Sequence, residues 1–253
     1  MKLLRKLIPG WGIVPIIIFL ILWEGIARIN LISGNFFFPP FSMVVAELYF
    51  LTVNGVLGNN FLRSFFRVII GFSAGALAGL FVGIIMGWKS LIDRALNPII
   101  SLIYPIPALG WLPILMLWLG ISEILPIAII FICSFFPILY NTSTGIKMVD
   151  KNYIRVAKSL GASNRKILIS IVVPLALPNI FTGLKLESGM AWRVIIAAEM
   201  VAIPTGIGAL MMRAESLMRI DIIIICLIVL AVMCFLFERF FKFLENKFTA
   251  RWS

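Results

Sequence analysis

From Ala95 to Ile146 the chain carries one charged side chain, Glu123, and from Leu7 to Trp23 and from Ile222 to Leu236 it carries none. Runs of this length leave few folds open. A soluble domain is about 25% charged. This chain of 253 residues is 13% charged and 62% hydrophobic, with a mean hydropathy of +1.09. No water-soluble core hides that much apolar surface. In hydrocarbon, backbone N–H and C=O groups must find partners inside the spanning element, so each run is expected to cross as a helix. The expected fold class is an all-α integral membrane protein.

One crossing takes about 20 apolar residues. Six segments meet this, at about 7–28, 65–88, 96–119, 124–146, 175–201 and 222–241, within a single transmembrane domain over residues 1–253. Lys2, Arg5 and Lys6 precede the first run as in a secretory leader. The run continues to Trp23 without a small-residue cleavage pattern, which predicts an uncleaved span. Met43 to Leu57 suits a short interfacial helix, because Glu47, Asn54, Asn59 and Asn60 argue against another crossing. Pro98, Pro105, Pro107, Pro113, Pro126 and Pro137 fall in or beside spans three and four, where a proline frees a carbonyl and bends the axis. Freed groups need protein or a wet cavity around them, so the kinks are either ordinary or set beside a cavity.

Span two holds a glycine at every fourth position: Gly71, Gly75, Gly79, Gly83 and Gly87. Apolar helices gain little by hiding from one another in lipid, and glycine lets two backbones approach closely. The row predicts a packing seam, inside one subunit or between two, with pore lining as the alternative. Span five is unusual in carrying Lys185, Glu187, Arg193 and Glu199. A charge at the bilayer centre costs about 2.5–3.5 kcal/mol on insertion scales, so these groups must face the bundle, a wet cavity or each other. Lys185, Gly189, Trp192, Ile196 and Glu199 share one helical stripe. That stripe is expected to face a solute pathway, the alternative being a buried ion pair that fixes packing.

The longest polar interval in the middle of the chain runs from Asp150 to Pro178. Asp150 can cap a short helix, Gly161 can end it in the left-handed conformation, and Ser163 can cap the next helix towards Pro174. Tyr153, Ala157 and Leu160 share one face of the first helix. With six spans and an inner N-terminus, fifteen of the Lys and Arg residues fall on inner segments, and only Arg28, Arg63, Arg67, Arg213 and Arg219 on outer ones. This bias puts both termini and the 150–166 loop in the cytoplasm.

Ala157, Gly161 and, nine residues on, Ile171-Val172-Val173-Pro174 resemble the "EAA" loop of permease subunits of ABC importers, with Arg155-Val156-Ala157 where that family has Glu-Ala-Ala. Leu175-Ala176-Leu177-Pro178, Thr182-Gly183-Leu184-Lys185, Ala191-Trp192 and Ala198-Glu199-Met200 resemble its nitrate/sulfonate/taurine branch. So do Ser64, Arg67, Gly71, Pro105-Ile106-Pro107, Trp118-Leu119-Gly120 and Asn141-Thr142. The resemblance implies a MetI-like type I importer bundle of six transmembrane helices with a cytoplasmic coupling helix. It further implies a homodimer, two ATP-binding subunits below and an extracytoplasmic solute-binding protein above. ATP and Mg would sit on the partner ATPase and no cofactor on this chain. Tyr153, Arg155, Ala157, Lys158, Leu160 and Gly161 would dock the ATPase. Lys185, Glu187, Trp192, Arg193 and Glu199 are pathway or gating candidates, Glu199 in a structural or gating role. Glu187 stands where the family usually has a small residue. The implied cargo is a small solute such as an oxyanion or a sulfonate.

Other classes fit less well. The net charge of +11 follows the membrane topology, so no nucleic-acid partner is expected. The chain has no histidine, and Cys133, Cys226 and Cys234 lie in apolar runs without ligand spacing, so no metal site or catalytic residue is assigned. No Walker motif occurs; Gly87-Trp88-Lys89-Ser90 lacks the Gly-Lys pair and the preceding strand. An intramembrane enzyme would need paired acids or an activated nucleophile within the spans. The alternative transport reading is a stand-alone secondary transporter, which predicts an inverted repeat with matching broken helices; the glycine row has no counterpart in the other half of the chain.

Overall fold

The computed structural model describes residues 14–29 and 37–249, and the described chain is helical nearly throughout. In order, the helices are α1 (Val14–Arg28), α2 (Phe41–Val53), α3 (Val56–Trp88), α4 (Ser90–Ile103), α5 (Leu112–Leu119), α6 (Ile124–Lys147), α7 (Lys151–Ser159), α8 (Asn164–Ile167), α9 (Val173–Ala202), α10 (Ile207–Ser216) and α11 (Ile220–Thr249). A 3₁₀ turn, Ala108–Trp111, precedes α5, and a π turn, Leu168–Val172, joins α8 to α9. Four helical stretches are long and apolar enough to cross a membrane, and a bent pair makes a fifth. Residues 7–13 of the first expected span, the basic residues Lys2, Arg5 and Lys6, and Arg251 lie outside the described residues.

The third expected span, 96–119, is not one kinked helix. α4 and the Ala108–Leu119 segment meet at 85°. Pro105 has no N–H for the Ser101 carbonyl, and Pro107 turns extended at ψ 137°, so the helix stops and restarts. Span two begins earlier than position 65, at Val56. The turn between α5 and α6, the ends of the expected third and fourth spans, has Gly120 at φ +67°. The interfacial stretch forms α2, whose Glu47 pairs with Arg219 at 2.9 Å, beside the Arg219–Asp221 pair at 2.7 Å. Hydrogen bonds to Asp221 raise the pKa of Arg219 above the ordinary arginine value. Trp23 donates to the Pro39 carbonyl at 3.1 Å, and Glu24 accepts from the Ser42 backbone N–H at 3.0 Å in the first turn of α2.

α6 lies between α3 and α9, and α11 packs on α9. The glycine row of α3 faces α6 along its length. A Cβ placed on Gly75 or Gly79 would stand 2.7 Å from the Phe131 or Phe135 carbonyl oxygen, and one on Gly87 would stand 2.7 Å from Ile146 Cβ. A Cβ on Gly183 of α9 would stand 2.9 Å from Asn141 Cβ of α6. Phe72 of α3 packs on Phe241 of α11 at 5.3 Å between ring centroids, and Trp192 of α9 on Phe237 at 5.8 Å. Leu77, Phe81, Leu117, Trp118 and Val232 project outward, where acyl chains can meet them.

Gly79→Val should push α3 from α6 and cost about 1–3 kcal/mol as an overpacked contact. Gly58→Val, where nothing lies within 4 Å of the added Cβ, should be near neutral. Thermal unfolding of the two purified variants in detergent compares them.

Candidate functional site

Ser64 and Arg67 lie one turn apart on α3, facing the end of α9 and the loop that enters α10. Glu199 of α9, 0% exposed, accepts from Ser64 Oγ at 2.8 Å, Arg67 Nη1 at 2.6 Å and the Gly208 N–H at 3.0 Å. Ser64 Oγ accepts in turn from the Ile207 N–H at 2.9 Å. The two acceptors therefore serve the first free N–H groups of α10, whose own cap position, Gly206, has no side chain to do so. Gly206 sits at φ +109°, and a Cβ there would overlap the Glu199 carboxylate. Arg67 is fully engaged: Nε donates to Glu123 at 2.7 Å, Nη1 also to the Thr205 carbonyl at 2.8 Å and Nη2 to Thr205 Oγ1 at 2.7 Å. Asn60 accepts from the Gly206 N–H at 3.0 Å. One saturated network thus ties α3, the α5–α6 turn, α9 and α10.

This changes the reading of the stripe on α9. Glu199, Trp192 and Ile196 are buried in the bundle, and Lys185 pairs with Glu245 of α11 at 2.6 Å. The stripe is the packed face of α9, because its polar ends are held by α3 and α11. Arg193 is exposed on another side of the helix. Among the five candidates, Glu187 alone borders a sizeable open cavity, of about 450 Å³, lined by the α4–α5 break, α6 and α9. Ser64 and Arg67 entered the sequence reading only through resemblance, with Arg67 counted on an outer segment. An arginine inside an apolar run that must find an acid was the available signal.

The 150–166 interval forms two short helices. Asp150 accepts from the Asn152 N–H at 2.9 Å, and Ser163 from the Lys166 N–H at 3.4 Å. α7 ends with Gly161 at φ +77°. The Ala162 N–H reaches the Ala157 carbonyl at 3.0 Å and the Gly161 N–H the Lys158 carbonyl at 2.9 Å, the paired bonds of a Schellman end. The helix has two apolar sides. Ala157, 7% exposed, turns inward with Ile154, whereas Tyr153, Val156 and Leu160 turn outward, Leu160 81% exposed. Arg155, Lys158 and Gly161 are exposed beside them. Of the residues expected on one outward face, Tyr153 and Leu160 do point outward, with Val156 beside them, and Ala157 points inward. From Asn164 the chain runs without interruption through the π turn into α9. There the Val173 N–H reaches back five residues to Leu168, directly before Pro174, which has no N–H to give.

Residues 75–250 match the family described as "binding-protein-dependent transport system inner membrane component". The taurine transport system permease protein TauC of Escherichia coli is 34% identical over 239 residues, covering 92% of this chain and 86% of its own length. The nitrate import permease protein NrtB of Synechocystis is 38% identical over 190 residues, covering 75% and 69%. Among solved structures, the methionine ABC transporter MetNI, in inward-facing conformations, superposes with a TM-score of 0.60 at 15% identity, over 78% of this chain and 97% of that one. The chain thus belongs to the family of binding-protein-dependent transport system inner membrane components. It is a multi-pass membrane protein, the permease subunit of a binding-protein-dependent ABC importer, with the MetI-like fold.

Glu199→Ala removes the acceptor on α9 that α3 and α10 share and leaves buried donors unmet. It should cost about 3–5 kcal/mol. Because Arg67 and Glu199 act as one unit, Arg67→Ala with Glu199→Ala should cost less than the two single changes summed, in a double-mutant cycle of unfolding in detergent.

Proposed function

We propose that α7 is the cytoplasmic coupling helix of this permease and that it docks on a separate ATP-hydrolysing subunit. The observation that carries the reading is α7 itself. It is a capped helix ended by Gly161, with Tyr153, Val156 and Leu160 outward on a basic surround, and the turn after it leads into α8, which runs unbroken into the central helix α9. An exposed tyrosine beside an exposed leucine on a short cytoplasmic helix suits a groove on a partner chain, since aromatic anchors carry much of an interface's energy and the leucine adds apolar area to bury. α1, α3, the bent α4–α5 pair, α6, α8–α9 and α11 would make six crossings, with both termini in the cytoplasm.

In this reading two copies of the chain form the pathway and two ATPase subunits bind ATP and Mg. An extracytoplasmic binding protein delivers the solute. ATPase closure moves α7, and the motion passes along α9 to the Glu199 network and the 450 Å³ cavity, which forms part of the passage. The cargo is a small polar solute in the size range of the taurine and nitrate named for the relatives.

Leu160→Asp should weaken association with the ATPase at least about tenfold, the loss of roughly 1.4 kcal/mol expected for an interface anchor. ATP-driven uptake should fall with it while membrane insertion is kept. Gly161→Pro, which cannot adopt the positive φ, should do the same by misdirecting α7. Co-purification of the ATPase and uptake in proteoliposomes measure both, and undiminished uptake in the two variants would remove the docking role.

A further inference from the structure

The three buried acids of the bundle are not equivalent. Glu199 is saturated by donors from α3 and α10, and Asp221 accepts from Arg219 at 2.7 Å. Glu187, 9% exposed, has among the described residues one hydrogen-bond partner, the Cys133 thiol at 3.6 Å. A thiol is a weak donor, and an acid in apolar surroundings keeps its charge only with a cation or strong N–H donors beside it. The nearest basic residues in sequence do not supply one, since Lys185 is tied to Glu245 and Arg193 faces outward.

Glu187 borders the 450 Å³ cavity, whose size falls in the usual range for small-molecule sites. It is the only Asp, Glu, Lys or Arg among the described residues lining that space; the rest of the wall includes Tyr104, Pro107, Phe136 and Met190. Tyr104 is stacked on Tyr140 with rings 5.5 Å apart. A carboxylate beside aromatic rings is a cation-attracting wall, and an oxyanion without a balancing charge is repelled by it. We infer that Glu187 recognises the cargo in transit and that the cargo carries a protonated nitrogen group. A solute that also bears an acidic group would pass with its cationic end toward Glu187. This inference rests on the cavity being part of the passage.

The test uses the complete importer in nanodiscs, in a Cys133→Ala/Cys226→Ala/Cys234→Ala background with Met190→Cys as a reporter thiol on the cavity wall. Modification rates by a trimethylammonium-ethyl and a sulfonato-ethyl methanethiosulfonate are compared, each divided by its rate with a free thiol. The cationic reagent should be favoured about tenfold or more, the range by which a charged cleft concentrates a counter-ion. Adding Glu187→Gln should bring the ratio near one. Ethylammonium should slow labelling of the same thiol by uncharged N-ethylmaleimide, and ethanesulfonate should not. A ratio near one with Glu187 present, a preference that survives Glu187→Gln, or protection by ethanesulfonate instead of ethylammonium, overturns the cargo class and leaves a wet passage standing. Failure of every reagent to reach position 190, with and without ATP, overturns the passage and the inference together.

Discussion

Two apolar helices in a bilayer gain nothing by leaving lipid for each other, so their attachment depends on how closely their backbones can approach. The α3–α6 seam meets this demand over five successive turns. Because the facing groups are largely carbonyl oxygens and Cβ atoms, the seam has no slack that a flexible side chain could supply. α6 is then pressed on its other side by α9, through Gly183 on Asn141 and Gly145 on Asn179. The three helices form a stiff slab, and the remaining elements attach to it by different means.

Those means are polar at one end and aromatic in the middle. Arg67, Ser64 and Glu199 join α3, α9 and α10 with every strong donor paired, which is the condition under which buried charge is tolerated. Phe72, Trp192, Phe237 and Phe241 fasten α11 to the slab without charge. The α4–α5 pair, broken at Tyr104–Pro107, cannot lie flat against α6 and α9, and the gap beneath the break is the cavity. Saturation at Glu199 and want of a strong partner at Glu187 thus sit twelve residues apart on one helix, one serving to hold and the other bordering the cavity.

Much of this was legible in the residues. The glycine period, the caps at Asp150 and Ser163 and the helix end at Gly161 are local signals, each with a local cause, and each stands where the pattern put it. The Arg67–Glu199 pair spans 132 positions, and no local pattern announces it. The stripe on α9 is a stripe in the structure too, but periodicity cannot say which side of a helix meets a neighbour and which meets a void. The same limit hid Val156. A short helix with apolar residues on two sides offers no internal reason to prefer Ala157 or Val156 as its outward face. Prolines mark where a helix is weak, and whether it bends or stops depends on what packs against the break.

From Asn164 to Ala202 the helix counts 39 residues, up to about 58 Å at 1.5 Å per residue. It is clamped at the Glu199 end and attached to α7 at the other. A rod of that length tilting by about five degrees about its clamp sweeps its free end through roughly 5 Å, close to the pitch of one helical turn. Such leverage is a gear reduction: a generous stroke at the α7 end would become a sub-ångström adjustment near Glu199, fine enough to reorder hydrogen bonds without tearing the bundle apart.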